Sequence, residues 1–262
     1  MGKYLVTVAP NLDGTNSLTP YNDNDLLFDW TPFHIPGKNA AELKSINIIM
    51  PGTNVDISSN ENELDFELFF AKSINGIAPP SLGTVNSGTS DKAITMACKN
   101  NILAWRSISH AAMEDAGRHL LHYNIWSENG QTTTVNIYNR ASTILQGEGD
   151  GPDAIQGYQT LYIAAFASGA FDFGTGVIKD GAQAATTTTT TLAVTSGGVD
   201  ADEAFCVGDI LIAGTDGAKI GTVVNGTLSN TAVTVDKVEE ALANTDEICV
   251  RNPIKFHLGF EL

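Results

Sequence analysis

Apolar and polar residues alternate in short runs along most of this chain, the period of strands buried on one face. Residues 63–72 (ELDFELFFAK) are the clearest case: Leu64, Phe66, Leu68 and Phe70 fall on one face, and Glu63, Asp65, Glu67 and Phe69 on the other. The same pattern predicts strands over residues 3–8, 26–35, 42–50, 103–109, 118–126, 132–138 and 159–167. Pro36-Gly37 and Pro51-Gly52 stop two of them, and Asn129-Gly130 is a hairpin signal between two others. One short helix is predicted after Ser90-Asp91, where Ala93, Ile94, Ala97, Cys98 and Ile102 recur at helical spacing. Residues 252–262 (NPIKFHLGFEL) read as a final strand.

The segment before that strand differs from the rest. Residues 179–250 open on six consecutive threonines (186–191) and are rich in Gly, Val and Asp. The threonine run reads as an edge strand or a linker. Strands are expected at 207–213, 219–224, 228–235 and 247–250, with a Gly-Thr-Asp-Gly turn at 214–217. The expected architecture is therefore all-β: a β-sandwich, jelly-roll-like, over residues 1–178 plus 251–262, with one short helix and a small β-barrel-like domain of SH3 or OB size inserted at 179–250, before the last strand.

Composition narrows the function. Charged residues make up 17% of 262 and the net charge is −16, so general binding to nucleic acid is not expected. Three lysines against eleven acids give the inserted segment −8; the much longer remainder also carries −8, so the insert is the more acidic per residue. The N-terminal run MGKYLVTVAP reads as a strand, neither an export signal nor a membrane span, and synthesis in a cytoplasm is expected. Cys98, Cys206 and Cys249 fit no zinc or CxxC spacing and read as buried free thiols; Cys206 and Cys249 could be neighbours on adjacent strands.

Candidate chemistry is sparse. His119 and His122 sit three apart, on opposite faces of a strand, and cannot share a metal there. His110 and Glu114 meet only on a helix. His34 and His257 lie in apolar strands and are expected to be packed. Asp23, Asp25 and Asp29 form an acidic loop that could offer calcium its oxygens, as could Glu148, Asp150 and Asp153, but the EF-hand Gly and Glu are missing, and solvated Asx turns explain both loops. The nucleophile elbow, P-loop, HExxH and Rossmann patterns are all missing from the sequence. The three tryptophans sit at strand positions and read as core rather than as a sugar platform. No catalytic residue, metal ligand or cofactor is assigned.

Three strings carry a resemblance: KYLVTVAPNLDG at the start, QTLYIAAFASGAFDFGTG, and the closing IKFHLGFEL. They resemble virion structural proteins of tailed bacteriophages, especially marine and cyanobacterial phages, whose sandwich begins with a similar strand and ends on a similar one. Residues 208–250 (GDILIAGTDGAKIG…DEICV) resemble a small β-module of phage structural proteins. The resemblance implies a non-enzymatic capsid decoration or cement protein, assembled in the host cytoplasm and sitting on the outer capsid surface of the virion. It would bind the major capsid protein as a homo-oligomer, a trimer being favoured, with no nucleic acid or membrane partner. Two other readings remain open: a tail, baseplate or fibre component that binds a receptor or glycan, and a glycan hydrolase on a β-scaffold.

Overall fold

The computed structural model describes residues 2–12, 21–37, 39–49, 65–86, 97–108, 114–115, 121–122, 143–169, 176–195 and 200–262. The first strands follow the alternation in the sequence: β1 (Lys3–Val8), β2 (Leu26–Pro36), β3 (Ala41–Ile49), β4 (Phe66–Lys72) and β5 (Ile102–Ile108). Two short strands, β6 (Glu114–Asp115) and β7 (Leu121–His122), pair with each other. Then come β8 (Thr143–Leu145) and β9 (Tyr158–Ala167), and the chain ends on β16 (Lys255–Glu261). Phe66, Leu68 and Phe70 are fully buried while Glu67 and Phe69 are half-buried, as the period of two requires.

Eight of these strands pair as one long antiparallel ribbon, first with last and inward: β1 with β16, β2 with β9, β3 with β8 and β4 with β5. The ribbon folds into two four-stranded sheets, β1-β16-β3-β8 and β2-β9-β4-β5. That strand order is a jelly roll. The sheets bury a common core in which Phe256 of β16 lies 5.5 Å from Phe28 of β2 and 6.1 Å from Phe66 of β4, while Phe33 stacks on Phe260 at 6.0 Å. Tilted and edge-on ring pairs of this kind add to the gain from burial alone. A smaller cluster covers the other face of the second sheet, where Leu82 and Cys98 pack on Leu26, Ala164 and Phe166.

Between β9 and β16 lie β10 (Val177–Ile178), β11 (Thr190–Ala193), α1 (Ala201–Ala204), β12 (Ile210–Ala213), β13 (Lys219–Ser229), β14 (Ala232–Val235) and β15 (Glu247–Val250). They form one sheet, β10-β15-β12-β13-β14-β11, with its own hydrophobic cluster drawn from residues 177–250. This sheet begins at Val177, two residues before the expected boundary. Val177 pairs with Ile248, so the chain enters and leaves the unit side by side. Gly176 is needed at that neck: a Cβ there would lie 2.6 Å from the Ile248 carbonyl oxygen and 2.7 Å from Cys249 Sγ. The two ends of the sheet order meet at one bridge, Lys179 with Val194. Lys179 is buried there, and its ammonium donates to the carbonyls of Ala193 (2.9 Å) and Asp180. Burial holds its pKa below the ordinary lysine value.

Several expectations need correction. Residues 97–101 are a turn, not helix: the Asn101 amide donates to the Lys72 carbonyl (2.9 Å), and Ile102 already pairs with Ala71 in the sheet. The rest of that expected helix, and the hairpin around Asn129-Gly130 apart from β7, lie outside the described residues. The short helix that is described is α1. Residues 228–235 are not one strand; they turn at Asn230-Thr231 between β13 and β14. Strand β13 runs past its expected end at Val224 because Gly226 fits against Thr234, where a Cβ would come within 2.7 Å of the Thr234 Cβ. The threonine run does supply an edge strand, β11.

Phe256→Ala should lower the stability of the sandwich by about 3–5 kcal/mol, read from its denaturant midpoint, because it empties a site between three elements. Replacing residues 177–250 by a short Gly/Ser bridge should leave a sandwich that still unfolds cooperatively, since the ends it joins are neighbours. A broad, non-cooperative melt of that variant would show that the two cores are one.

Candidate functional site

On one side of the sandwich β1 and β2, edge strands of opposite sheets, come together. A groove of about 500 Å³ opens between them, lined by Tyr4, Val6 and Val8 from β1, Phe33 and His34 from β2, and Tyr158 at the start of β9. Its walls are apolar and aromatic with a few polar tips, the composition of a binding groove. The opposite side of the sandwich is bridged differently: Arg106 of β5 donates to Thr143 of β8.

Both expected packed histidines are half-buried, because each lies on the outward face of its strand while its neighbours, Phe33 and Ile35 or Phe256 and Leu258, point into the core. His257 Nδ1 lies 3.0 Å from the Thr7 hydroxyl and His34 Nδ1 lies 3.4 Å from that of Thr160. His110 and His119 fall outside the described residues. His122 stands opposite Glu114 in the β6–β7 register, so Glu114 lies on a strand and not on the helix that pairing with His110 would need.

The acidic loops spend their carboxylates separately. Asp25, buried, accepts the Asn22 backbone N–H at 2.8 Å; Asp29 accepts from Trp30 N, Leu82 N and the Ser81 hydroxyl; Asp23 accepts from the Asn24 amide. Asp29 thus fastens the 80s loop over the second sheet. In the other loop Glu148 accepts the Gly76 N–H, and Asp153 accepts the Tyr162 hydroxyl at 3.0 Å. Burial first, then this carboxylate, raises the Tyr162 phenol far above its ordinary value. Among the described residues, no three His, Cys, Asp or Glu side chains are placed to hold a metal ion.

At the end of the sandwich where β9 stops and β16 starts, one ion pair spans the two units. Asp209, its side chain only 3% exposed, accepts from Lys255 Nζ at 3.4 Å and from the Cys206 N–H at 2.8 Å. The Arg251 N–H donates to the Ile210 carbonyl, and the Asn252 amide to the Ala9 carbonyl. A small cavity of about 200 Å³ sits among these groups. Losing one partner of a pair with so buried a carboxylate costs more than losing a surface pair.

Two further residues depart from expectation. Trp105 is not core: it is 56% exposed, on edge strand β5, stacked on Phe69 at 6.5 Å and 25°, while Phe69 meets Phe166 edge-on at 5.7 Å. Trp30 is half-buried and donates its indole N–H to the Pro80 carbonyl. Cys206 is not buried. Phe205 takes the inward position and Cys206 faces out, where its backbone N–H closes the turn onto Asp209. All three thiols are free.

The signal for the β1–β2 edge was in the sequence as Pro32 and Pro36, which a central strand does not carry. For Trp105 there was none, since an aromatic at a strand position looks the same on either face. No family model matches this chain, and no curated protein matches it in sequence.

The thiols give a direct check of this geometry. Burial pushes Cys249 up to about 12, and burial also raises Cys98. Cys206 is raised by partial burial of its sulfur first, then by Asp209, against the pull of Lys255. The native protein should therefore show one reactive thiol, Cys206. Because its thiolate forms above the ordinary cysteine range, its alkylation rate should still be climbing at the pH where an ordinary exposed cysteine levels off. Mass spectrometry of alkylated peptides reads both; native labelling of Cys98 or Cys249 would contradict the structure.

Proposed function

We propose that this chain is a non-enzymatic structural protein of a tailed-bacteriophage virion, a capsid decoration or cement protein that binds the outer surface of the major capsid protein lattice and stabilises the head. The observation that carries this reading is a jelly roll with a second, more acidic unit mounted on its last connection. Jelly rolls recur as capsid and lectin domains, although a fold by itself does not decide function. One end of the sandwich is knit by hydrogen bonds between its loops, with Gly37 N bonded to the Gly157 carbonyl and Gly76 N to the Glu148 carboxylate. The other end carries the 177–250 unit. A two-ended adaptor of this kind has one end for the lattice and one for its surroundings. Many equivalent weak contacts on a lattice add up to tight binding. We also read the six-stranded unit as a small barrel and a domain of its own, which the Lys179–Val194 bridge and the separate hydrophobic cluster support.

A second reading has a specific observation in its favour. Trp105, exposed and backed by Phe69, is the kind of flat apolar platform on which a sugar ring stacks, which suits a tail or fibre component that binds a glycan. Immunogold electron microscopy of the source virions with antibody against this chain separates the two. Regular labelling over the head is the expected result. Label confined to the tail would favour the glycan reading, and no label on any particle would overturn both.

A further inference from the structure

We propose that β1 is a self-pairing edge: two copies of this chain join their Lys3–Val8 strands antiparallel, about a two-fold axis at Leu5, so that the sheet β1-β16-β3-β8 runs on into its copy. The inference does not rest on the virion reading; it follows from which way the backbone groups of β1 point.

The Leu262 N–H donates to the Gly2 carbonyl at 2.8 Å, so residues 2 and 262 form a hydrogen-bonded pair of the β1–β16 ladder. Bonded pairs alternate in an antiparallel ladder. Tyr4, Val6 and Val8 therefore turn their N–H and C=O groups toward β16, and Lys3, Leu5 and Thr7 turn theirs away. Among the described residues no strand pairs with that outer edge. Six outward backbone groups form a template for another strand.

On β1 only the charge of Lys3, at one end of the strand, blunts this template. The neighbouring edge, β2, is blunted. Gly37 N donates to the Gly157 carbonyl, which places Ile35, Phe33 and Thr31 toward β9 and leaves Pro32, His34 and Pro36 facing outward, two of the three with no N–H to offer. Strand β1 has no proline, and at its centre stands Leu5, 59% exposed.

The edge suits a second copy rather than an arbitrary strand. Its outward residues number three and centre on Leu5, so a two-fold axis there pairs Lys3 with Thr7 of the copy, Leu5 with Leu5, and Thr7 with Lys3, using all six groups. No like charges face each other, and the strand carries no acid in a chain of net charge −16 that otherwise repels its copies. On the inner face the same register sets Tyr4 beside Val6 of the copy and Val6 beside Tyr4, closing the open side of the groove that these residues line. A contact of this symmetry closes on itself and stops at two.

The test is sedimentation of the full-length chain across a wide concentration range, with two variants. Wild type should show a reversible species of twice the 27.7 kDa chain mass. Leu5→Pro removes an N–H that points away from β16, so the fold should hold while the dimer's dissociation constant rises about tenfold to a hundredfold, both copies losing a central donor. Leu5→Cys, in a Cys206→Ser background, should form a covalent dimer on mild oxidation, because directly opposed Cα atoms lie at about 5.5 Å; this reports on the contact even where Leu5→Pro perturbs folding. A wild type that stays monomeric, a trimer such as the resemblance implies, or a dimer that neither responds to Leu5→Pro nor cross-links through Leu5→Cys would each overturn the proposal.

Discussion

The structure depends on the pairing of its first strand with its last. Strand β16 lies between β1 and β3, so it is a central strand even though it is made last. Its inward residues, Phe256, Leu258 and Phe260, are buried to within 2% and meet phenylalanines from two strands of the opposite sheet. Without β16 the first sheet would break into separate edges and the core would open along its length. The jelly roll therefore closes only after the chain has completed the excursion between β9 and β16.

That order limits what the excursion can be. It must return the chain to the place it left, and the β10–β15 ladder does so by setting Val177 beside Ile248. The tight fit of Gly176 and the buried ammonium of Lys179 hold the same neck, and Asp209 with Lys255 ties the unit to the strand that follows it.

Much of the fold was legible because burial on one face imposes a period of two. Phe66, Leu68 and Phe70 declared their strand and its inner face, and so did the closing run KFHLGFE. The segment before that run stood apart by composition, and its strands form a sheet of their own. Local pattern failed where long-range contacts decide. Helical spacing around Cys98 gave way to a turn, because Asn101 bonds to Lys72. The break at Asn230-Thr231 was hidden inside a Thr/Val run that reads as continuous strand. Which strands are edges is a property of the whole sheet, so Trp105 and Leu5 looked like any other strand residues. The acidic loops were legible as Asx turns, but the Ser81 and Leu82 partners of Asp29 and the Lys255 partner of Asp209 were not, since each lies dozens of residues away.

The central claim, that a jelly roll closed by its last strand and a second core between its last two strands are distinct cooperative units, is tested most directly by native-state hydrogen exchange with mass spectrometry. Amides of β16, β3 and β9 should share one opening free energy, and those of β12 to β15 a different one. A single opening common to both sheets, or exchange of β16 as rapid as a frayed terminus, would contradict it.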